Sequence, residues 1–312
     1  MMDTLVNTLE LFPKGLIFIA LGITVLVIAK LLQEFITPYK ISEQLSKKNN
    51  AALGLSIAGY YLGVIIIYVA VIYQPLTSST VGGSSEGALK FEGDYWLEVL
   101  EAFLFALGAV VVLNVSRWLV DKFVLFKFDT AQKIVEEQNV GSGAVEFGVY
   151  VAVSLVIAAS TASTGGEQLG TVEVSLLEEL LRTVAFFGLG MVALISYTIF
   201  YELTTKFSIH DEIQNNNTAV GVALAGNLVA VSIVTFKAVY GGFTGWTESL
   251  VAFVIFAVLG FALLYAIRWV VDMTLLPGTK VSDELAVDRN LGVAFIESTV
   301  VISAALILYF AV

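Results

Sequence analysis

The sequence predicts an all-α, polytopic membrane protein of about eight transmembrane helices, arranged as two parallel-duplicated four-helix halves. Three observations predict it. The 312 residues are 58% hydrophobic and only 14% charged, where a soluble domain carries about 25% charge. The apolar residues fall into eight long runs. A five-residue signature, Arg117-Trp118-Leu119-Val120-Asp121, returns as Arg268-Trp269-Val270-Val271-Asp272, 151 residues later.

The runs cover residues 15–36, 51–73, 96–120, 141–160, 177–201, 218–240, 249–271 and 291–312. Each is long enough to cross about 30 Å of hydrocarbon at about 1.5 Å per residue. A span in lipid must satisfy its own backbone, so each is expected to be a helix. The first follows Lys14, lacks a small-residue cleavage pattern, and reads as a retained helix and not as a signal peptide.

The connections alternate in character. Those after the first, third, fifth and seventh runs, with the adjoining helix ends, hold Lys30, Lys40, Lys47, Lys48, Arg117, Lys122, Lys127, Lys133, Lys206, Arg268, Lys280 and Arg289, 12 of the 16 basic residues. The other side has Lys14, Lys90, Arg182 and Lys237. That asymmetry predicts the lysine-rich side to be cytoplasmic, in a cell inner membrane, with both termini outside. The outer loops are acidic (Glu86, Glu92, Asp94, Glu167, Glu173) and rich in Gly and Ser after Ser78, as solvated loops are. Tyr95, Trp96, Tyr240 and Trp246 mark one boundary and Tyr39, Trp118 and Trp269 the other, an interfacial aromatic belt.

Composition also excludes. With no cysteine and one histidine, His210 in a polar loop, the chain lacks the residues for disulfides, thiolate catalysis, zinc or haem. No phosphate-binding glycine motif appears, so neither an enzyme nor a cofactor or metal is expected. A net charge of -11 leaves no basic face for nucleic acid. His210 reads as a solvated loop residue.

The 151-residue offset also relates Asn139 to Asn290 and Glu146 to Glu297. It divides the chain into halves 1–165 and 166–312, expected to relate by a pseudo-two-fold along the membrane normal. A finer repeat lies beneath. Every even-numbered span opens after an asparagine, Asn50, Asn139, Asn217 or Asn290, a residue suited to cap the first-turn N–H groups. Three of the four then place glycine four and nine residues on: Gly54 and Gly59, Gly143 and Gly148, Gly221 and Gly226. Gly59 and Gly63 form a GxxxG pair. Such residues let helices approach closely in lipid, and helix packing is their expected role, with a glycine-lined substrate path as the alternative.

The run Ile36-Thr37-Pro38-Tyr39, then Lys47-Lys48-Asn49-Asn50-Ala51-Ala52-Leu53-Gly54, and Asn215-Asn216-Asn217-Thr218-Ala219-Val220-Gly221 in the second half, resemble the YjfL-like family, domain of unknown function 350. Nearly the whole chain is covered, as two fused copies of the usual four-helix unit. The second half departs from the pattern: Thr204-Thr205-Lys206 stands where the first half has Thr37-Pro38. The resemblance implies a membrane protein with no catalytic residues to carry over. By analogy with relatives it implies an association with membrane-stress or other membrane-associated proteins. Beyond the lipid bilayer itself, self-association into a homo-oligomer is compatible with it.

Carboxylates inside a span are costly and call for an explanation. Glu146 and Glu297 each follow an arginine by 29 residues, Arg117 and Arg268, at matching depth on the preceding helix. The spacing predicts two Arg–Glu pairs, with Asp121 and Asp272, four residues after each arginine, able to share the guanidinium. Asn114 and Asn227 are further polar positions in spans, Lys30 and Lys237 are expected to snorkel, and Arg182 to pair with Glu178 or Glu179. Two functional classes follow. One is a non-enzymatic scaffold in which the pairs are clamps. The other is a small-ion or proton-coupled channel or transporter that uses the glutamates.

Overall fold

The computed structural model describes residues 2–78, 95–123, 130–162, 175–240, 243, 245–274 and 279–311. Every regular element among them is a helix. The eight long helices are α1 (Met2–Ile36), α3 (Ala51–Ser78), α4 (Tyr95–Phe123), α6 (Val140–Ala162), α7 (Leu176–Thr204), α9 (Thr218–Val239), α10 (Trp246–Thr274) and α12 (Leu291–Ala311). All eight are long and apolar enough to cross a membrane. The Gly/Ser-rich run beyond Ser78 and the acids Glu86, Glu92, Asp94, Glu167 and Glu173 lie outside the described residues, as does the side chain of Asp121.

The connections on the lysine-rich face are not plain loops. Each contains a six-residue helix: α2 (Ile41–Ser46), α5 (Thr130–Val135), α8 (Ile209–Gln214) and α11 (Val281–Ala286). Such segments are too short to form alone. They are held because Ile41, Ile134, Ile209, Ile213, Val281 and Leu285 are buried beneath them. The repeating element is therefore long helix, short helix, long helix, four times over. His210 corrects its sequence reading: it lies in α8, is 8% exposed, and sets Nδ1 3.2 Å from Glu202 Oε1. The polar composition of the segment concealed the buried side of this short helix.

Within each unit the two long helices have different surroundings. The even members α3, α6, α9 and α12 form a row, each packed along the next. In the central two, 83% and 78% of the span is buried, against 17% for α1 and 22% for α10. α4 lies against both α3 and α6, α7 against α6 and α9, and α10 against α9 and α12. Apolar side chains of the outer helices, such as Ile23, Phe105, Val192 and Val258, face outward. That surface is what a span presents to lipid. Trp96, Trp118, Trp246 and Trp269 are exposed near helix ends.

The row depends on small residues. A methyl placed on Gly143 or Gly221 would collide with backbone of Ala52 or Gly141 in the preceding even helix. One on Gly59 or Gly148 would sit 2.5 Å from the Cα of Phe147 or Ala225 in the following one. Gly226 abuts Ser298 in the same way, and Gly63 lies against the Tyr150 carbonyl and Ser154. Gly54 differs: only Leu45 of its own unit comes near. A pseudo-two-fold between halves would require α12 to pack along α3 as α9 packs along α6, and it does not. The halves are successive steps of one row.

Every even helix begins alike. Asn49, Gln138, Asn216 and Arg289 take left-handed φ values of 50–56°. Each turns the chain sharply from its short helix into the capping asparagine that follows.

Candidate functional site

The asparagines form the lower layer of the site. Asn50, Asn139, Asn217 and Asn290 each accept with Oδ1 from the amide three residues on, at 3.0, 2.8, 3.2 and 3.3 Å. The other end of each side chain reaches further. Asn50 Nδ2 donates to the Ile134 carbonyl (2.8 Å), Asn139 Nδ2 to Ile213 (2.7 Å) and Asn217 Nδ2 to Leu285 (2.9 Å). One side chain thus caps its own helix and ties the unit to the short helix of the next. Asn290 Nδ2 instead donates to Glu284 Oε2 of its own unit, at 2.8 Å.

Seven residues above the second and fourth asparagines, about 10 Å into the helix, stand Glu146 and Glu297. Arg117 Nη2 on α4 donates to Glu146 Oε1, and Ser56 Oγ on α3 donates to Glu146 Oε2. The Glu146 side chain is 4% exposed and that of Arg117 17%. The guanidinium also stands 5.6 Å from the centre of the Tyr150 ring. Tyr150 packs edge-on against Tyr60 and accepts from Gln33 Nε2 at 3.2 Å. Asn114 Nδ2 donates to Tyr60 Oη at 3.1 Å, and Tyr60 Oη donates to the Ala29 carbonyl at 3.1 Å.

In the second half Arg268 Nε lies 3.5 Å from Glu297 Oε1, and the Glu297 side chain is wholly buried. Arg268 Nη1 donates to Thr205 Oγ1 at 3.0 Å, and its guanidinium lies 4.5 Å from the centre of the Tyr201 ring. Tyr197 Oη donates to Asn227 Oδ1 at 3.0 Å. Asp272 does something other than share the guanidinium through a hydrogen bond. Its Oδ1 accepts from the Val281 amide at the start of α11, at 3.0 Å, because one turn past Arg268 the helix end faces that loop. Arg182 Nη2 donates to Glu178 Oε1 at 2.8 Å, Lys30 lies 3.9 Å from Glu34, and Lys237 stands over the Tyr309 ring.

Both pairs sit in the half of the bundle nearer the short helices. Towards the opposite face three buried serines turn inward on their own helices, Ser154, Ser160 and Ser232 donating to carbonyls three residues back at 2.7–2.8 Å, while the buried Thr235 Oγ1 makes no hydrogen bond among the described residues. Between them lie Val149, Val153, Val156, Leu228, Val231 and Val234. Chemically, each site is a carboxylate set against a guanidinium: Glu146 accepts from both Arg117 and Ser56, whereas Glu297 faces Arg268 at 3.5 Å with neither oxygen accepting a hydrogen bond among the described residues. Sequence reasoning did not find Ser56, Thr205 or Tyr201. Ser56 stands one residue before the level of Glu146 in the preceding unit, the one signal that marks it.

Fold and site together define a polytopic α-helical membrane protein made of tandem repeats around paired intramembrane charges. The chain belongs to the family described as Domain of Unknown Function (DUF350), which matches it twice, over residues 6–161 and 175–312. Each match spans two of the four units. The chain is also 24% identical over 275 residues to a UPF0719 transmembrane protein of Aquifex aeolicus (strain VF5), covering 88% of this chain and 90% of that protein. No solved structure matches it.

Proposed function

We propose that the chain is a non-enzymatic membrane scaffold. It forms a fixed helical platform in the cell inner membrane, with the lysine-rich face cytoplasmic and both termini outside, on which a membrane-stress or other membrane-associated protein assembles. One observation carries this reading: the two core glutamates each face an arginine in the same half of the bundle, and the layer beyond them is mostly apolar. A conducted ion needs polar groups continuing across the bilayer. A clamp needs only its partner. The second reading, a small-ion or proton-coupled channel, draws on Glu297, which is fully buried with its arginine at 3.5 Å.

Proteoliposomes distinguish them. A scaffold gives ion and proton flux equal to that of protein-free vesicles from acidic to neutral pH. Flux above that level, lost when Glu146→Gln and Glu297→Gln are combined, overturns the scaffold in favour of the channel. Orientation is tested in cells with the same cysteine-free background. A cysteine replacing Ser84 should react with an external reagent and one replacing Gln132 should not; external reaction at 132 reverses the topology.

A further inference from the structure

The row of even helices has two unlike ends, and each end repeats a surface that is covered inside the row. Counting from the capping asparagine, the positions two, nine and thirteen residues on face the following unit. In α3 they are Ala52, Gly59 and Gly63; in α6, Gly141, Gly148 and Ala152; in α9, Ala219, Gly226 and Ala230. All nine are buried. In α12 they are Gly292, Thr299 and Ser303, still small and all exposed. The positions four and eight residues on face the preceding unit. They are buried or half-buried at Gly143 and Phe147, Gly221 and Ala225, and Ala294 and Ser298. In α3 they are Gly54, half-buried by Leu45 of its own unit with no neighbouring unit near it, and the exposed Ala58.

Two further features end in the same places. The asparagine side chains tie each unit to the next three times, with Asn50, Asn139 and Asn217 buried, and the series stops at the exposed Asn290. The acceptor is each time the carbonyl of the fifth residue of the next short helix, and the one that would continue the series is that of Leu45 at the other end of the row. The outer helices show it too. α4, α7 and α10 each lie against their own even helix and the preceding one, while for α1 the preceding place holds nothing among the described residues.

We infer that a second copy of this chain docks head to tail, its α1–α3 end against the α12 face of the first, repeating the step that relates α9 to α12. Gly54 of the second copy then meets Gly292, Ala58 of the second copy meets Thr299, and the Asn290 amide reaches the Leu45 carbonyl of the second copy. The contact is heterologous, so copies form either a closed ring or an open row. In lipid, where apolar surface alone gives no drive to associate, close approach at small residues supplies the attraction. The inference rests on the repeat geometry and stands whichever reading of the charge pairs holds, since flux tests those and association tests this.

Because the chain has no cysteine, the test is made with single introduced thiols in the full-length protein in lipid nanodiscs or vesicles. A Thr299→Cys chain and a differently tagged Ala58→Cys chain, co-expressed and treated with a short thiol-reactive crosslinker, should give a two-chain product. Neither alone should give it, nor should Ala58→Cys with Val258→Cys, which lies on an outward face of α10. Thr299→Trp, at an exposed position, should reduce the native mass in lipid to that of one chain with an unchanged helical content. Crosslinking in either single-variant sample, no product in the mixture, or a single-chain mass for the unaltered protein overturns the proposal.

Discussion

Glu146 and Glu297 lie at the same depth, seven residues past their capping asparagines, and each faces an arginine 29 residues earlier. Their third partners differ. In the first half a hydroxyl serves the acid: Ser56 Oγ donates to Glu146. In the second half the residue at that level is Ala223, and the hydroxyl serves the base instead, as Thr205 accepts from Arg268. Thr205 occupies the place of Pro38 in the other half, and proline offers no side-chain acceptor. The departure of the second half from the Thr-Pro pattern is thus coupled to how its charge pair is held. A duplicated site can keep its ion pair and move the supporting polar group from one partner to the other.

The largest test of this difference removes the arginines. Arg268→Leu leaves Glu297 wholly buried with no counter-charge, and the expected loss is about 3–5 kcal/mol. Arg117→Leu leaves Glu146 with Ser56, and its loss should be smaller by about the value of one hydrogen bond to a charged group, about 1.5–3 kcal/mol. Removing both partners, as in Arg117→Leu with Glu146→Leu, should bring stability back towards that of the unaltered chain. Equal losses in the two halves, read from unfolding in nanodiscs, would dissolve the comparison. A smaller effect comes from exchanging the hydroxyls. Ser56→Ala should cost about 1.5–3 kcal/mol, and Ala223→Ser should stabilise only while Glu297 is present. If Ala223→Ser gains as much in a Glu297→Gln background, the hydroxyl acts elsewhere. The smallest effect is a control that should not tell the halves apart. Gln138 and Arg289 hold equivalent left-handed positions, which disfavour ordinary side chains by about 1–2 kcal/mol, in part offset by the greater freedom glycine loses on folding. Gln138→Gly and Arg289→Gly should each raise the unfolding temperature slightly and by similar amounts; unequal shifts would place an asymmetry in the backbone as well as in the site.

The fold was legible because a membrane imposes long-range order that a sequence records directly. Span length and the 151-residue repeat are both one-dimensional quantities. The arginines and glutamates could be named for the same reason, since equal spacing on antiparallel helices places them at equal depth. The short helices could not be read. Six residues give too little periodicity, and their stability comes from burying Ile134, Ile213 or Leu285 under neighbours that only the assembled row supplies. His210 was misjudged on the same ground. Nor could the asparagine amides be followed to the next unit, because each links residues 68–84 positions apart. The expected two-fold failed for a related reason: repetition in sequence fixes that units are alike, and leaves open whether the operation relating them is a rotation back or a step onward.

A row in which each unit meets only its neighbours has the thermodynamics of a linear lattice. Its stability is close to a sum of four unit terms and three junction terms. α6 and α9 each share two junctions, α3 and α12 one. Cooperativity is therefore greatest in the centre, and partial opening costs least at the ends, where a terminal unit can detach while the remaining junctions stay intact. The same arithmetic governs growth. A unit added at either end meets a surface its predecessor already presents, and needs no change elsewhere in the chain. Lengthening by accretion, two helices at a time, is a route open to this architecture that a closed bundle does not have.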